Sequence, residues 1–176
     1  DDLELHSGPE TFDVVLRPTG GAVAVHGRDL SYALATPFPC SFLPPRPKAC
    51  YGAIHGALAG ALRRLGYEVE CLPAGQRGNY REKIYCSLTL SAYDIVSGRC
   101  KVVGSAQLRR EGIVLQHGSI LFALPLDLYR RVLKMRPYRS DDRKEQLELG
   151  EKAAGLLDLG CDISYERMTR TLVILS

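Results

Sequence analysis

The sequence predicts a mixed α/β domain in which a largely antiparallel sheet is flanked by helices, and three stretches carry that reading. Residues 49–65 place Ile54, Leu58, Ala61, Leu62 and Leu65 at helical spacing, and Gly66 follows as a left-handed stop. Residues 91–122, SAYDIVSGRCKVVGSAQLRREGIVLQHGSILF, hold three strand patterns joined by turns at Ser97-Gly98 and Glu111-Gly112. Residues 125–134 and 140–158 are helix-favouring, with Pro125 at a helix-compatible first position and Ser140 as an N-cap.

The other elements follow in chain order. Residues 11–34, TFDVVLRPTGGAVAVHGRDLSYAL, read as strand, Gly-Gly turn, strand, short loop, strand, because apolar and β-branched runs are punctuated by Pro18, Gly20, Gly21 and Gly27. In residues 36–48, five of thirteen positions are proline, which fixes φ and removes N–H donors, so this segment is a loop. YEVECL, residues 67–72, alternates as a strand does, and residues 74–83 form a polar loop. Ser164 can cap a last helix, SYERMTRTLVIL, despite its β-branched end. There is no internal repeat and no low-complexity tract.

A length of 176 residues suits one domain, 1–176. With 45% hydrophobic and 24% charged residues the composition is that of a soluble globular chain. A formal charge of +3 is too small to argue for nucleic acid, although it would favour an acidic protein partner. Six cysteines, at 40, 50, 71, 86, 100 and 161, include no CxxC pair. They read as reduced thiols rather than a metal site. The acidic start DDLEL is not a signal peptide, and no apolar run approaches the ~20 residues that span a bilayer. The expectation is a cytoplasmic protein with no nucleic-acid or membrane partner.

Two side chains could carry chemistry. A thiol accepts an acyl group only as thiolate, and a nearby cation favours that form. Cys86 lies at the border of the polar loop and a strand, and Lys101 lies fifteen residues on, across the Ser97-Gly98 turn. A hairpin can fold that separation back on itself. The competing reading makes Cys86 a small buried hydrophobe and Lys101 a guard on an edge strand. RPTGG, residues 17–21, and GSAQ, residues 104–107, offer small residues where backbone can approach a ligand, or else a simple tight turn and a bulge. His26 and His117 are either ligand-facing or structural.

RPTGGAVAVHGRDLSYAL, CSLTLSAYDIVSGRCKVVGSAQ and LQHGSI, in that order, resemble the lipoate-protein ligase A family of the biotin/lipoate ligase superfamily. The first is similar to the family's R-R-x-T-G-G-x-x-V-x-H loop at Arg17, Thr19, Gly20, Gly21 and His26, with Pro18 after a single arginine. The second resembles G-[KR]-K-[VI]-x-G-[SN]-A-Q and places its lysine at Lys101, followed by Gly104, Ser105, Ala106 and Gln107; the third resembles Q-H-G-[ST] at Gln116, His117, Gly118 and Ser119. One branch, the ligase-like octanoyl-[acyl carrier protein]:protein octanoyltransferases, carries a cysteine in a C-F-D-A-P-S-x-Y-E context. Here that place reads C-S-L-T-L-S-A-Y-D, keeping Cys86, Ser91, Tyr93 and an acid at Asp94 but not the F-D-A-P residues.

The resemblance implies the biotin/lipoate ligase fold and transfer of an octanoyl group from acyl carrier protein to a lysine of a lipoyl domain, of the glycine cleavage H protein or dehydrogenase E2 type. It implies Cys86 as thioester nucleophile, Lys101 as the group that lowers its pKa, and the other matched residues as substrate-binding. The loop from Arg17 to Gly21 and residues 104–107 would then line an acyl tunnel and offer amides to the developing oxyanion. No cofactor is implied, ATP being needed only by a ligase. An ATP-dependent lipoate ligase, a lipoyl-domain amidotransferase and a catalytically silent acyl-binding protein are the alternatives. Only sixteen residues precede Arg17, so part of the family's N-terminal region is expected to be missing from this sequence. At the other end, residues 152–176 resemble the family's C-terminal K-x-x-S-L-x-x-L segment.

Overall fold

Strand pairing is the organising feature of the computed structural model, which describes residues 13–20, 22–75, 86–134 and 153–160. In chain order its elements are β1 (Asp29–Pro37), α1 (Pro47–Arg64), β2 (Glu70–Cys71), β3 (Ile95–Ser97), β4 (Cys100–Arg110), β5 (Ile113–Leu121) and α2 (Leu126–Lys134), with a single 3₁₀ turn at Cys86–Leu88. The strands form one five-stranded sheet in the order β1-β5-β4-β3-β2, every neighbour pair antiparallel. This is the mixed α/β class the sequence predicts.

α1 forms as expected, starting at Pro47, where a missing N–H costs nothing. It ends in a Schellman arrangement. Gly66 takes φ +96°, its N–H donates to Arg63 O at 3.0 Å, and the Tyr67 N–H donates to Leu62 O at 3.1 Å. Arg63 and Arg64 in the last turn complement the helix dipole. One face of α1 buries Ala59 and Leu62 against Leu30, Ile95, Val102, Val103 and Ile120 of the sheet. The N-terminal half of the helix packs Cys50 and Ile54 against Leu43 and Val114.

The β4-β5 hairpin turns through Glu111 and Gly112, with φ +53° and +74°. Positive φ at both central residues is the demand of a type I′ turn. The β3-β4 turn sits one residue later than predicted, at Gly98-Arg99, since Ser97 pairs with Cys100. Between these strands the register slips. Val96 faces Lys101 while Ile95 faces Val103, so β4 carries one extra residue.

Three expectations fail. Of the three strands predicted over residues 11–34, only the last forms among the described residues, as β1; Val14, Val15 and Leu16 are 52–97% exposed, and the described residues of 13–28 contribute only an isolated bridge residue, Val23, whose carbonyl accepts the Cys86 N–H at 2.9 Å. Apolar, β-branched sequence makes a strand only where a ladder partner exists. Residues 153–158, the described end of the predicted 140–158 helix, are instead a bridge, two irregular residues and the start of a turn. Their backbone continues the sheet: Ala153 bridges Lys101, the Leu156 N–H donates to Leu121 O, and the Leu157 N–H donates to Phe122 O. Gly155 is required there, because a Cβ would overlap the Phe122 and Ala123 backbone. The YEVECL strand is reduced to Glu70–Cys71. Most of the 74–83 loop, Ser140 and the Ser164 helix lie outside the described residues. No described helix is long and apolar enough to cross a membrane.

Candidate active site

A cavity of about 190 Å3 opens on one face of the sheet. Its floor is β4, β5 and β1, through Gly104, Ser105, His117, Gly118, Ser119, Ser31 and Tyr32; its walls are Cys86 and Ser87 from the 3₁₀ turn, Tyr129 from α2, and Arg17, Ala24, Val25 and His26 from the N-terminal segment. Lys101 and Leu121 complete it. Ala24, Val25, Leu121 and the Tyr129 ring make part of this lining apolar, and a few polar groups converge on it, the usual character of a small-molecule site.

Cys86 and Lys101 thus meet, as the hairpin argument expects. Lys101 is 3% exposed, which excludes the edge-guard reading. Its Nζ donates to Thr89 O at 2.9 Å and to Cys86 O at 3.3 Å, and it pairs with Asp94 Oδ2 at 2.8 Å. The lysine therefore touches Cys86 through the backbone carbonyl, with its charge compensated by a carboxylate. The bulge in β4 resets the side-chain alternation and lets Lys101 lie across Gly104, three residues away, whose added Cβ would sit 2.5 Å from Lys101 Cε. Gly104→Ala should accordingly displace the ammonium from its acceptors. We expect a loss of about 1–3 kcal/mol of stability in urea denaturation, the usual cost of forcing an extra carbon into a packed interior, with far-UV circular dichroism unchanged; an unchanged midpoint would show that the pinned position is dispensable.

Asp94 was visible in the sequence only as an acid in a motif. In the fold it is 1% exposed and accepts, besides Lys101, the Ser91 N–H at 2.8 Å and the Tyr51 hydroxyl at 3.3 Å. The residue before it, Tyr93, has φ +67°, an uncommon conformation for an aromatic residue. Gly52 of α1 accommodates the Tyr93 ring, since a Cβ there would lie 2.8 Å from it. The Tyr93 carbonyl, turned inward, receives His55 Nδ1 at 2.6 Å.

The remaining predicted residues divide. Arg17, His26, Gly104, Ser105, His117 and Gly118 line the cavity. Thr19 acts one step back, its hydroxyl 2.8 Å from His117 Nε2. Gly20, at φ +63°, closes a turn by donating its N–H to Arg17 O, and Arg17 Nη2 folds back on Ala22 O at 2.7 Å. Gly21 lies outside the described residues. Ala106 and Gln107 do not reach the cavity; Gln107 instead donates to Gln116 Oε1 at 2.9 Å. The Ser105 N–H is taken by the Tyr51 hydroxyl at 3.2 Å.

Charge at the cavity mouth is arranged by the histidines. His26 Nδ1 lies 2.7 Å from Asp29 Oδ2, and that hydrogen bond raises the His26 pKa above the ordinary histidine value. Burial alone would push Asp29 up, but hydrogen bonds from His26, Ser119 and the Gly27 N–H prevail and hold it at about 2. His117 is lowered by burial and by the neighbouring charges of Arg17 and His26. Among the described residues no group of three His, Cys, Asp or Glu side chains is placed to hold a metal.

A family model described as Biotin/lipoate A/B protein ligase family matches residues 4–124. The chain belongs to that family. Octanoyltransferase LipM of Kyrpidia tusciae is 32% identical over 166 residues, covering 92% of this chain and 60% of the relative. Octanoyltransferase LipM of Moorella thermoacetica is 37% identical over 124 residues, covering 69% and 45%. The chain thus spans at most 60% of the length of these relatives. Among solved structures, the bipartite lipoate protein ligase of Thermoplasma acidophilum superposes with a TM-score of 0.58 at 19% identity, over 84% of this chain and 49% of that one. A lipoate-protein ligase A bound with ATP gives 0.56 at 20% identity, over 84% and 50%. These likenesses establish the biotin/lipoate ligase fold.

Proposed function

We propose that this protein moves an octanoyl group from acyl carrier protein, through a thioester on Cys86, to a lysine of a lipoyl domain. The observation that carries the proposal is the meeting of Cys86 and Lys101 on the wall of one cavity, in a chain whose relatives include octanoyltransferases. The Cys86 thiolate attacks the carrier thioester, the new C–S bond replaces the old one, and the carrier leaves as its thiolate, which takes a proton from solvent. The neutral acceptor amine then attacks the enzyme thioester, forms the amide, returns Cys86 as thiolate, and gives its proton to solvent. Lys101, by donating to the Cys86 carbonyl, fixes the backbone that carries the nucleophile in both steps. Apolar Ala24, Val25 and Leu121 take the acyl chain, and the Arg17 guanidinium at the mouth meets the acidic surfaces of the two carriers. The transfer needs no ATP or other cofactor.

Intact-mass measurement after mixing with octanoyl-acyl carrier protein, without ATP, tests the reading. A hydroxylamine-labile octanoyl adduct is expected on the parent chain and absent from Cys86→Ser. If no adduct forms and transfer requires free lipoate with ATP, the ligase reading replaces this one.

A further inference from the structure

Behind the cavity lies a group that the sequence did not single out. His55 on α1 is fully buried, and its Nδ1 lies 2.6 Å from the Tyr93 carbonyl. A carbonyl can only accept, so Nδ1 carries the proton and Nε2 is an acceptor. Two hydroxyls lie within reach of Nε2, Ser105 Oγ at 2.6 Å and Tyr32 Oη at 3.4 Å, and the much nearer Ser105 is the donor. The Tyr32 hydroxyl, 2.5 Å from Ser105 Oγ, then donates to it and is itself approached by Gln116 Nε2 at 3.4 Å. The direction of every bond in the chain follows from one carbonyl. Gly118, paired with Ser105 across the β4-β5 ladder, makes room for it, since a Cβ at Gly118 would overlap Ser105 Oγ.

Ser105 lines the cavity, yet its hydroxyl proton is committed to His55. What it offers a bound molecule is a lone pair, which takes an N–H and not a carbonyl oxygen. The acyl chain and the thioester carry no N–H, whereas the attacking amine does. Resting on the transferase reading above, we infer that His55 is a positioning residue: through Ser105 it presents a hydrogen-bond acceptor that orients the acceptor lysine's amine toward the acyl carbon. Burial keeps the imidazole neutral well below neutral pH, with Asp94 opposing and Lys101 reinforcing that effect, so the acceptor keeps its direction.

Single-turnover kinetics on the full chain separate the two half-reactions: acylation of Cys86 by octanoyl-acyl carrier protein, and release of the acyl group to a lipoyl domain. In Ser105→Ala and in His55→Phe the second rate should fall at least tenfold more than the first, and the double variant should be no slower than Ser105→Ala alone, since the two residues act as a unit. His55→Gln, whose side-chain oxygen can still accept from Ser105, should recover part of the loss. Equal losses in both halves, losses confined to acylation, or additive losses would overturn the inference while leaving the transferase reading in place. A parent chain that never acylates Cys86 would overturn both.

Discussion

Asp94→Ala should destabilise the protein by about 3–5 kcal/mol, the usual cost of removing one member of a buried ion pair. The carboxylate and the ammonium are both almost wholly buried, with side-chain exposures of 1% and 4%, so neither solvent nor salt can replace the missing partner. The Ser91 N–H would lose this acceptor as well, and the Tyr51 hydroxyl would fall back on Ser105 O, 3.0 Å away. Because the cost lies in the charge left behind, Asp94→Ala combined with Lys101→Met should be less destabilised than Asp94→Ala alone, despite carrying one more substitution. Urea denaturation of the three variants measures this. A single-variant loss below about 1 kcal/mol, within the range of exposed pairs, would show that water reaches the pair.

The contrast between Lys101 and Asp94 shows what the sequence could and could not convey. Lys101 is legible because a hairpin needs only local turn chemistry, Gly98 and the alternating apolar residues around it, to fold position 101 back toward position 86. Its mode of action is not legible. Whether the ammonium faces the Cys86 sulfur or the Cys86 carbonyl depends on the extra residue in β4, a register slip that leaves no mark in an apolar run such as CKVVG.

His55 illustrates the complementary gap. Helical periodicity placed Ile54, Leu58 and Leu62 on the inward face, and His55, four residues after Tyr51 and four before Ala59, lies on the same stripe. A histidine there signals a buried polar partner, but the partner, the Tyr93 carbonyl, comes from a residue at positive φ whose side chain gave no hint of that conformation. The N-terminal strands failed for a related reason. Residues 13–28 have strand composition, and composition reports the preference of one segment while pairing needs two. Helix-favouring composition likewise misread residues 153–158, where hydrogen bonds to Leu121 and Phe122 outweigh intrinsic helix propensity.

The same histidine should make stability fall as the solution is acidified. Burial lowers the His55 pKa from the ordinary 6.5 to about 4. The folded value lies below the unfolded one, so between these limits the unfolded chain binds a proton that the folded chain refuses. Its contribution is fully present above pH 6.5 and is lost as pH falls toward 4, by about 3 kcal/mol over the whole range at ~1.36 kcal/mol per pH unit. Two nearby groups do not imitate this. The lowered carboxyl of Asp29 contributes fully above its ordinary value of 3.8 and is lost only as pH falls toward about 2. The raised pKa of His26 has the opposite sign, its stabilisation present at low pH and lost as pH rises through the folded value, and its exposed ring keeps that term small. His117, lowered, adds to the His55 effect with the same sign. Urea denaturation from pH 4.5 to 8 should therefore show unfolding free energy rising with pH and levelling near 7. His55→Phe should remove most of that slope whatever it does to stability at pH 8, and a slope unchanged in His55→Phe would assign the titration to another group.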